Sequence, residues 1–435
     1  MLDIWDKLPD EVSETYARAL HRPDLPAAQR EEEARSFLAW AERFQRGGAQ
    51  ARMMLRRVLD ETDDERRNTA ARLLLEMPDA EAVATVVAAL SDSRQLLLSD
   101  SNLRRLVQRT PQHDVLWTRL NALSSNGRAA LLHSLLRRPT RESRAYIDEA
   151  LASGANSLSQ EAIEAVAAWG EPEILRRMME SAPPSTEMPP WLREDARLDA
   201  AFYLALTGDR RGIEFLERFA AGEETTLAAR AALFLAWLAR PEAVGVIEGL
   251  LRNTDPHVAG VALDAASALH AAALCPALLH LAAQSSASQT DPPPLADDAV
   301  KVLLKLTGAQ LPEGRIEYVD SSLEELTPPS RQIAVTFLQT ATRKLNPALR
   351  YVEGELLTLA HLAARLSSPH SGEMRAAAYN LRAITGEDYG FDPAADLIAN
   401  LPAIVAWRER AARDSPMPPG KWAFAGMPLS SDGIS

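Results

Sequence analysis

Arg137, Arg138, Arg141 and Arg144 open a helix-sized basic cluster beside Tyr146, inside a stretch (residues 101 to 150) that holds nine Arg against four acidic residues. Guanidinium forks bind carboxylates and phosphates in bidentate geometry. The cluster therefore offers recognition of an acidic protein partner or an anionic ligand, with a solvated helix face as the plainer reading and nucleic-acid binding as a third. The windows on either side, 51 to 100 and 151 to 200, carry net charges of −3 and −5, and the chain as a whole carries −13 with a pI near 5.2. Nucleic-acid affinity rests on neutralising phosphates with Lys and Arg, so these balances favour a protein partner over a polyanion. A second candidate for recognition is Trp422 with Phe424, two aromatics in a Pro/Gly-rich tail, which suit a peptide docking on a partner or back on this chain.

Catalytic and metal chemistry find less. The eight histidines, His21, His113, His133, His257, His270, His280, His361 and His370, lack carboxylate neighbours in metal-ligand spacing. His270 and His280 are placed to face each other across a repeat, again without a carboxylate pair. Cys275, the one cysteine, sits in the apolar run Ala272-Ala273-Leu274-Cys275-Pro276-Ala277-Leu278, a setting that raises a thiol pKa. No GxSxG elbow, GxxxxGK[ST] phosphate loop or GxGxxG turn is present. Glu387, Asp388 and Asp392 give too few oxygens for calcium. The expectation is a protein without catalytic residues, metal or cofactor.

What must position these residues is a ladder of helices. Apolar residues fall at i, i+3, i+4 and i+7 in seven clean copies: Ala70/Leu73/Leu74/Met77, Leu103/Leu106/Val107/Thr110, Ile163/Val166/Ala167/Gly170, Leu198/Ala201/Phe202/Ala205, Ala231/Phe234/Leu235/Leu238, Ala262/Ala265/Ala266/Leu269 and Ala299/Val302/Leu303/Leu306. A degraded copy stands at Leu132/Leu135/Leu136, and with it the copies recur every 29 to 37 residues. Each is one apolar stripe on one helix. Several are followed by a second stripe, such as Val83/Val86/Val87/Leu90 or Gly212/Phe215/Leu216/Phe219, after breakers such as Pro78-Asp79, Gly208-Asp209 and Pro241-Glu242. A helix pair of this size cannot bury its own stripes, so neighbours must stack. With 46% hydrophobic but 6% aromatic residues, the core is built from Leu, Ala, Val and Ile, and sheets are not expected. The predicted fold is all-α, a right-handed α–α superhelix of stacked helix pairs.

The units Asp64-Glu65-Arg66-Arg67-Asn68-Thr69-Ala70-Ala71-Arg72-Leu73-Leu74 with Pro78-Asp79-Ala80, and Thr226-Leu227-Ala228-Ala229-Arg230-Ala231-Ala232-Leu233 with Pro241-Glu242-Ala243, resemble HEAT-type repeats of the bilin-lyase-like bacterial group. The resemblance spans roughly residues 50 to 405 and implies an architecture, not an activity. Some HEAT-repeat proteins hold a dinuclear iron centre on repeated His-Glu dipeptides, and here no His precedes a Glu. The segment Thr385-Gly386-Glu387-Asp388-Tyr389-Gly390-Phe391-Asp392-Pro393 with Trp407 resembles the closing element of such proteins, with Tyr389, Phe391 and Trp407 as a structural cap.

Four regions follow: a helical cap over 1–50, ended by Gly47-Gly48; a repeat array over 51–310; an irregular segment with further helices over 311–412; and an extended tail over 413–435. Pro-dense loops interrupt the array near Pro183-Pro184 and Pro292-Pro293-Pro294. The N-terminus lacks a signal sequence and no run approaches the ~20 apolar residues needed to span a bilayer, so a bacterial cytoplasmic protein is expected; the 42 Arg against 5 Lys fit a GC-rich genome. The expected function is a scaffold or adaptor that binds another protein through its repeat surface, as an accessory factor of a larger assembly or secretion system, or as an immunity-type inhibitor. The alternatives are a ligand-binding or lyase-like enzyme with a site among the repeats, and nucleic-acid binding through residues 101–150.

Overall fold

The computed structural model describes residues 8–92, 98–110, 113–120, 125–152, 160–181, 190–284, 294–312, 326–413 and 417–429. The Pro-dense loops, most of the irregular segment after Leu311 and the ends of the tail lie outside these residues. The described chain is predominantly α-helical, and no helix in it is long and apolar enough to cross a membrane. It divides into two compact units: Met1–Ile174 with Ser367–His370 and Gly390–Val405, and Leu175–Leu366 with Ser371–Tyr389 and Ala406–Ser435.

In the first unit, Asp10–His21 and Ala27–Arg46 form an antiparallel pair, and Gly48–Val58 packs on Asp64–Glu76. The helices carrying the sequence stripes, Asp64–Glu76, Asp100–Arg109, Ser125–Leu136 and Gln160–Ala167, each stack on the next. Ala70, Leu73, Leu74, Leu103, Leu106, Ile163 and Val166 are all buried at that contact. Asp63 begins the first of them by accepting the Glu65 and Arg66 backbone N–H groups, and Ser99 accepts Asn102 N–H at the start of the next. A polar rung joins the two helices: the Asn102 side chain donates to Asn68 O at 2.9 Å, and Ser99 N–H to Asn68 Oδ1 at 2.7 Å.

The second unit repeats the scheme with Pro190–Leu206, Thr225–Trp237, Pro256–Leu269, Pro294–Thr307 and Pro328–Thr342 as the stacked first helices. Arg210–Ala220, Ala243–Leu250 and Cys275–Ala282 are second helices. Asp255 caps the Pro256 helix, with Pro at its first position, and His270 ends it in the left-handed region at φ 59°. His270 is buried there whereas His280 faces solvent, so the two do not form the facing pair that their spacing suggests. Helix Ser371–Thr385 lies across Pro190–Leu206, Thr225–Trp237 and Pro256–Leu269. Its Tyr379 closes an aromatic cluster with Phe202, 4.9 Å between ring centres, and Trp237, 5.3 Å.

Two short antiparallel hairpins add the strands that composition did not lead one to expect: Tyr351–Val352 with Glu355–Leu356, and Ala423–Phe424 with Met427–Pro428. Their two-residue turns, Glu353-Gly354 and Ala425-Gly426, have positive φ at both positions (52° and 82°, 47° and 76°). This is the turn that matches strand twist, but Glu-Gly and Ala-Gly signal it weakly. The second hairpin replaces the extended tail that the sequence suggests.

Two predictions follow from this packing. A Cβ on Gly212 would stand 2.7 Å from Ala205 N, inside the contact between Arg210–Ala220 and Pro190–Leu206. Gly212→Ala should therefore cost about 2–3 kcal/mol in urea unfolding, while Gly245→Ala, in an open helical position, should stabilise by about 0.5–1 kcal/mol. Asp209 accepts from Arg176 at 2.9 Å and from Arg211 at 3.2 Å. Burial pushes its pKa up, but the Arg211 and Arg176 hydrogen bonds outweigh this and hold it at about 2. A depressed carboxylate stabilises the folded state above the ordinary Asp range and loses that contribution as pH falls towards 2. Asp209→Asn should cost about 1–2 kcal/mol at pH 7, and the difference from the parent protein should vanish in melts below about pH 2.

Candidate functional site

Sequence proximity suggests a basic surface on residues 137–144, but the structure gives one of its four arginines, Arg137, a counter-charge from far along the chain. Segment Gly390–Val405 returns to the first unit and carries two carboxylates four residues apart. Asp392 receives a bidentate pair from Arg137, at 2.5 and 2.7 Å. Glu164 stands 3.6 Å from the same guanidinium. Asp396 receives Arg72 at 2.8 and 3.2 Å and the hydroxyl of Ser101. Arg72 also reaches Ser101 Oγ at 2.9 Å and Glu76 at 2.9 Å. The two aspartates thus address three successive first helices: Asp64–Glu76, Asp100–Arg109 and the end of Ser125–Leu136.

The returning segment is shaped before it meets those helices. Asn400 accepts the Asp392 N–H at 2.9 Å and donates to its carbonyl at 2.8 Å, Asp392 accepts Ala394 N–H at 3.0 Å, and Asp396 accepts Ala399 N–H at 2.8 Å. Arg72 is 1% exposed. Burial works against its charge, and the neighbouring Asp396 and Glu76 more than restore it, so its pKa lies above the usual value. Tyr16 is buried nearby, and burial pushes its phenol up to about 12.

Two of the remaining arginines of the cluster are spent nearer home. Arg138 donates to the Gln108 carbonyl. Arg144 pairs with Glu171 at 2.9 Å and lies 5.3 Å from the ring centre of Trp169, whose indole donates to Leu136 O. Arg141 is exposed.

In the second unit the tail docks in cis. Trp422 is 1% exposed. It donates to Ala348 O at 3.2 Å and stacks under Arg350 at 5.1 Å, while Phe424 is half-buried below Arg240 at 5.4 Å. Backbone bonds fix the path: Arg350 N–H to Gly420 O, Gly420 N–H to Leu357 O, and Ala425 and Gly426 N–H to the Ala383 and Ile384 carbonyls. The last two satisfy carbonyls that the end of Ser371–Thr385 leaves open. Arg350 is wholly buried, donates to Leu269 O at 2.8 Å and to Asn380 Oδ1 at 2.5 Å, and burial lowers its pKa to about 9.

Tyr389 and Trp407 meet edge to face at 4.8 Å in the second unit, with Trp407 buried; Phe391 is buried in the first. Glu387 is held by the Tyr389 hydroxyl at 2.7 Å and by Arg410 at 3.2 Å, and Asp388 stands 3.7 Å from Arg382. With Asp392 on Arg137, these three carboxylates serve separate cations. Among the described residues no group of three or more His, Cys, Asp or Glu side chains is arranged to hold a metal ion. Cys275 is buried and its thiol is pushed up to about 12, far from nucleophilic use at neutral pH.

No protein-family model matches the chain, and no curated protein matches it. Among solved structures it is similar to two engineered proteins known from crystallography. One is 16% identical, with 86% of this chain and 98% of the other covered, at a TM-score of 0.26. The other is 20% identical, with 59% and 94% covered, at 0.18. Scores this low do not relate the folds.

Sequence reasoning missed Arg72 and the carboxylates that answer it. One signal was present: Arg72 interrupts the apolar run from Ala70 to Leu75, where a charge must either reach solvent or find a partner. Removing one partner of a buried pair costs about 3–5 kcal/mol, against about 1 kcal/mol for a more solvated one. Arg137 is 19% exposed on its side chain and Arg72 1%, so Asp396→Asn should destabilise the chain by several-fold more than Asp392→Asn in denaturant unfolding.

Proposed function

We propose that the chain is a bacterial, cytoplasmic, non-enzymatic scaffold of HEAT type, a right-handed α–α superhelix that binds another protein through its repeat surface as an accessory factor of a larger assembly. The observation that carries this reading is the cis docking of residues 390–405 and 417–429. Stacked first helices receive a separate stretch of polypeptide through bidentate arginines, and a hairpin and helix end receive another through backbone bonds and a buried tryptophan. Arginine and tryptophan anchors of this kind are also those that dominate interfaces between proteins, and stacked helices offer extended surfaces for them. Because Arg137, Arg138, Arg144 and Trp422 have intramolecular contacts, the reading assigns partner binding to surface beyond those contacts, with Arg141 and Arg144 the exposed members of the original set.

The test is native mass spectrometry of the protein withdrawn gently from its own cells. A stoichiometric protein partner is the expected result. A solitary chain retaining a small molecule would overturn the scaffold reading in favour of a ligand-binding or lyase-like protein.

A further inference from the structure

Away from the docked segments, a cleft of about 590 Å³ opens between Pro256–Leu269 and Pro294–Thr307 of the second unit. This volume lies within the range of small-ligand sites, about 300–1,000 Å³. Val261, Leu295 and Val302 give it apolar wall, with His257 and Ser267 at its lining. Its charged residues are Asp264, Asp298, Lys301 and Lys305. Lys301 pairs with Asp298 at 3.0 Å, and Lys305 with Glu373. Both lysines are therefore answered within the chain.

Asp264 is not. Among the described residues it makes no hydrogen bond or ion pair, although solvent reaches it. The surrounding walls, and then the neighbouring Asp298 carboxylate, raise its pKa above the ordinary value. A cation placed there would relieve both. Counting each pair as neutral, the cleft presents one net negative charge beside an apolar wall.

We propose that this cleft binds a monocationic alkyl-guanidinium or alkyl-ammonium group, its charge set against Asp264 and its methylenes along Val261, Leu295 and Val302. Such a group belongs to a free organic amine or guanidine, or to an Arg or Lys side chain of a partner. Anionic and neutral ligands of the same shape are excluded by the unpaired carboxylate or gain nothing from it.

Isothermal titration of the full chain with butylguanidinium, its neutral isostere butylurea, and the blocked tripeptide Gly-Arg-Gly tests this. The expected result is saturable one-to-one binding of a guanidinium probe and none of butylurea, with Asp264→Asn lowering the affinity about tenfold or more. Asp264 is exposed, so the variant should melt like the parent, which calorimetry checks. Preference for the tripeptide would identify a partner's side chain as the source, and preference for butylguanidinium a free organic cation; both outcomes support the site. Absence of saturable binding by either guanidinium, or binding that Asp264→Asn leaves unchanged, would overturn it.

Discussion

A guanidinium that is 1% exposed in the middle of an apolar helix face requires a counter-charge, and Arg72 takes one from more than 300 residues along the chain. Isolated burial of such a charge costs several kcal/mol even after relaxation. The pair with Asp396, seconded by Glu76 and Ser101, makes the site viable only when Gly390–Val405 is in place. The first unit is therefore not closed by its own consecutive helices. Its stacked helices, each held to the next by a buried apolar stripe, depend on a late segment for the polar part of the core.

The second unit meets the same difficulty with different groups. Arg350 is wholly buried and, among the described residues, has no carboxylate partner. A backbone carbonyl, the Asn380 side chain and the face of Trp422 take that place. Asn380 in turn spreads its amide over the Ala236, Trp237 and Ala376 carbonyls. A helix that crosses the stacked first helices is thus fixed by polar contacts as well as by the aromatic cluster around Tyr379.

Local features of this architecture were legible in the amino-acid sequence, because they are set by spacing. The i, i+3, i+4, i+7 stripes mark the helices, and Asp255-Pro256 marks a helix start through a cap and a ring-fixed φ. The buried Cys275 was readable from its apolar neighbours. Contacts between residues hundreds of positions apart were not. Asp392 reads as one of three acids in a turn-rich segment and Arg137 as one of four clustered arginines, and nothing in either local pattern says that they meet. The tail was intermediate: Trp422 in a Pro/Gly-rich stretch pointed to docking, but the Ala425-Gly426 turn and the helix end it closes emerged only from the fold. Asp264 and Asp298 of the cleft belong to consecutive first helices, and only their stacking brings the two carboxylates together.

The central claim is that the buried pair between Arg72 and Asp396 fastens the returning segment to the first unit. A double-mutant cycle on unfolding free energy, with Arg72→Met, Asp396→Leu and both together, measures this directly. If the claim holds, each single change is strongly destabilising and the double variant recovers much of the loss, giving a coupling of about 2–3 kcal/mol. Losses that simply add, with coupling near zero, would contradict it.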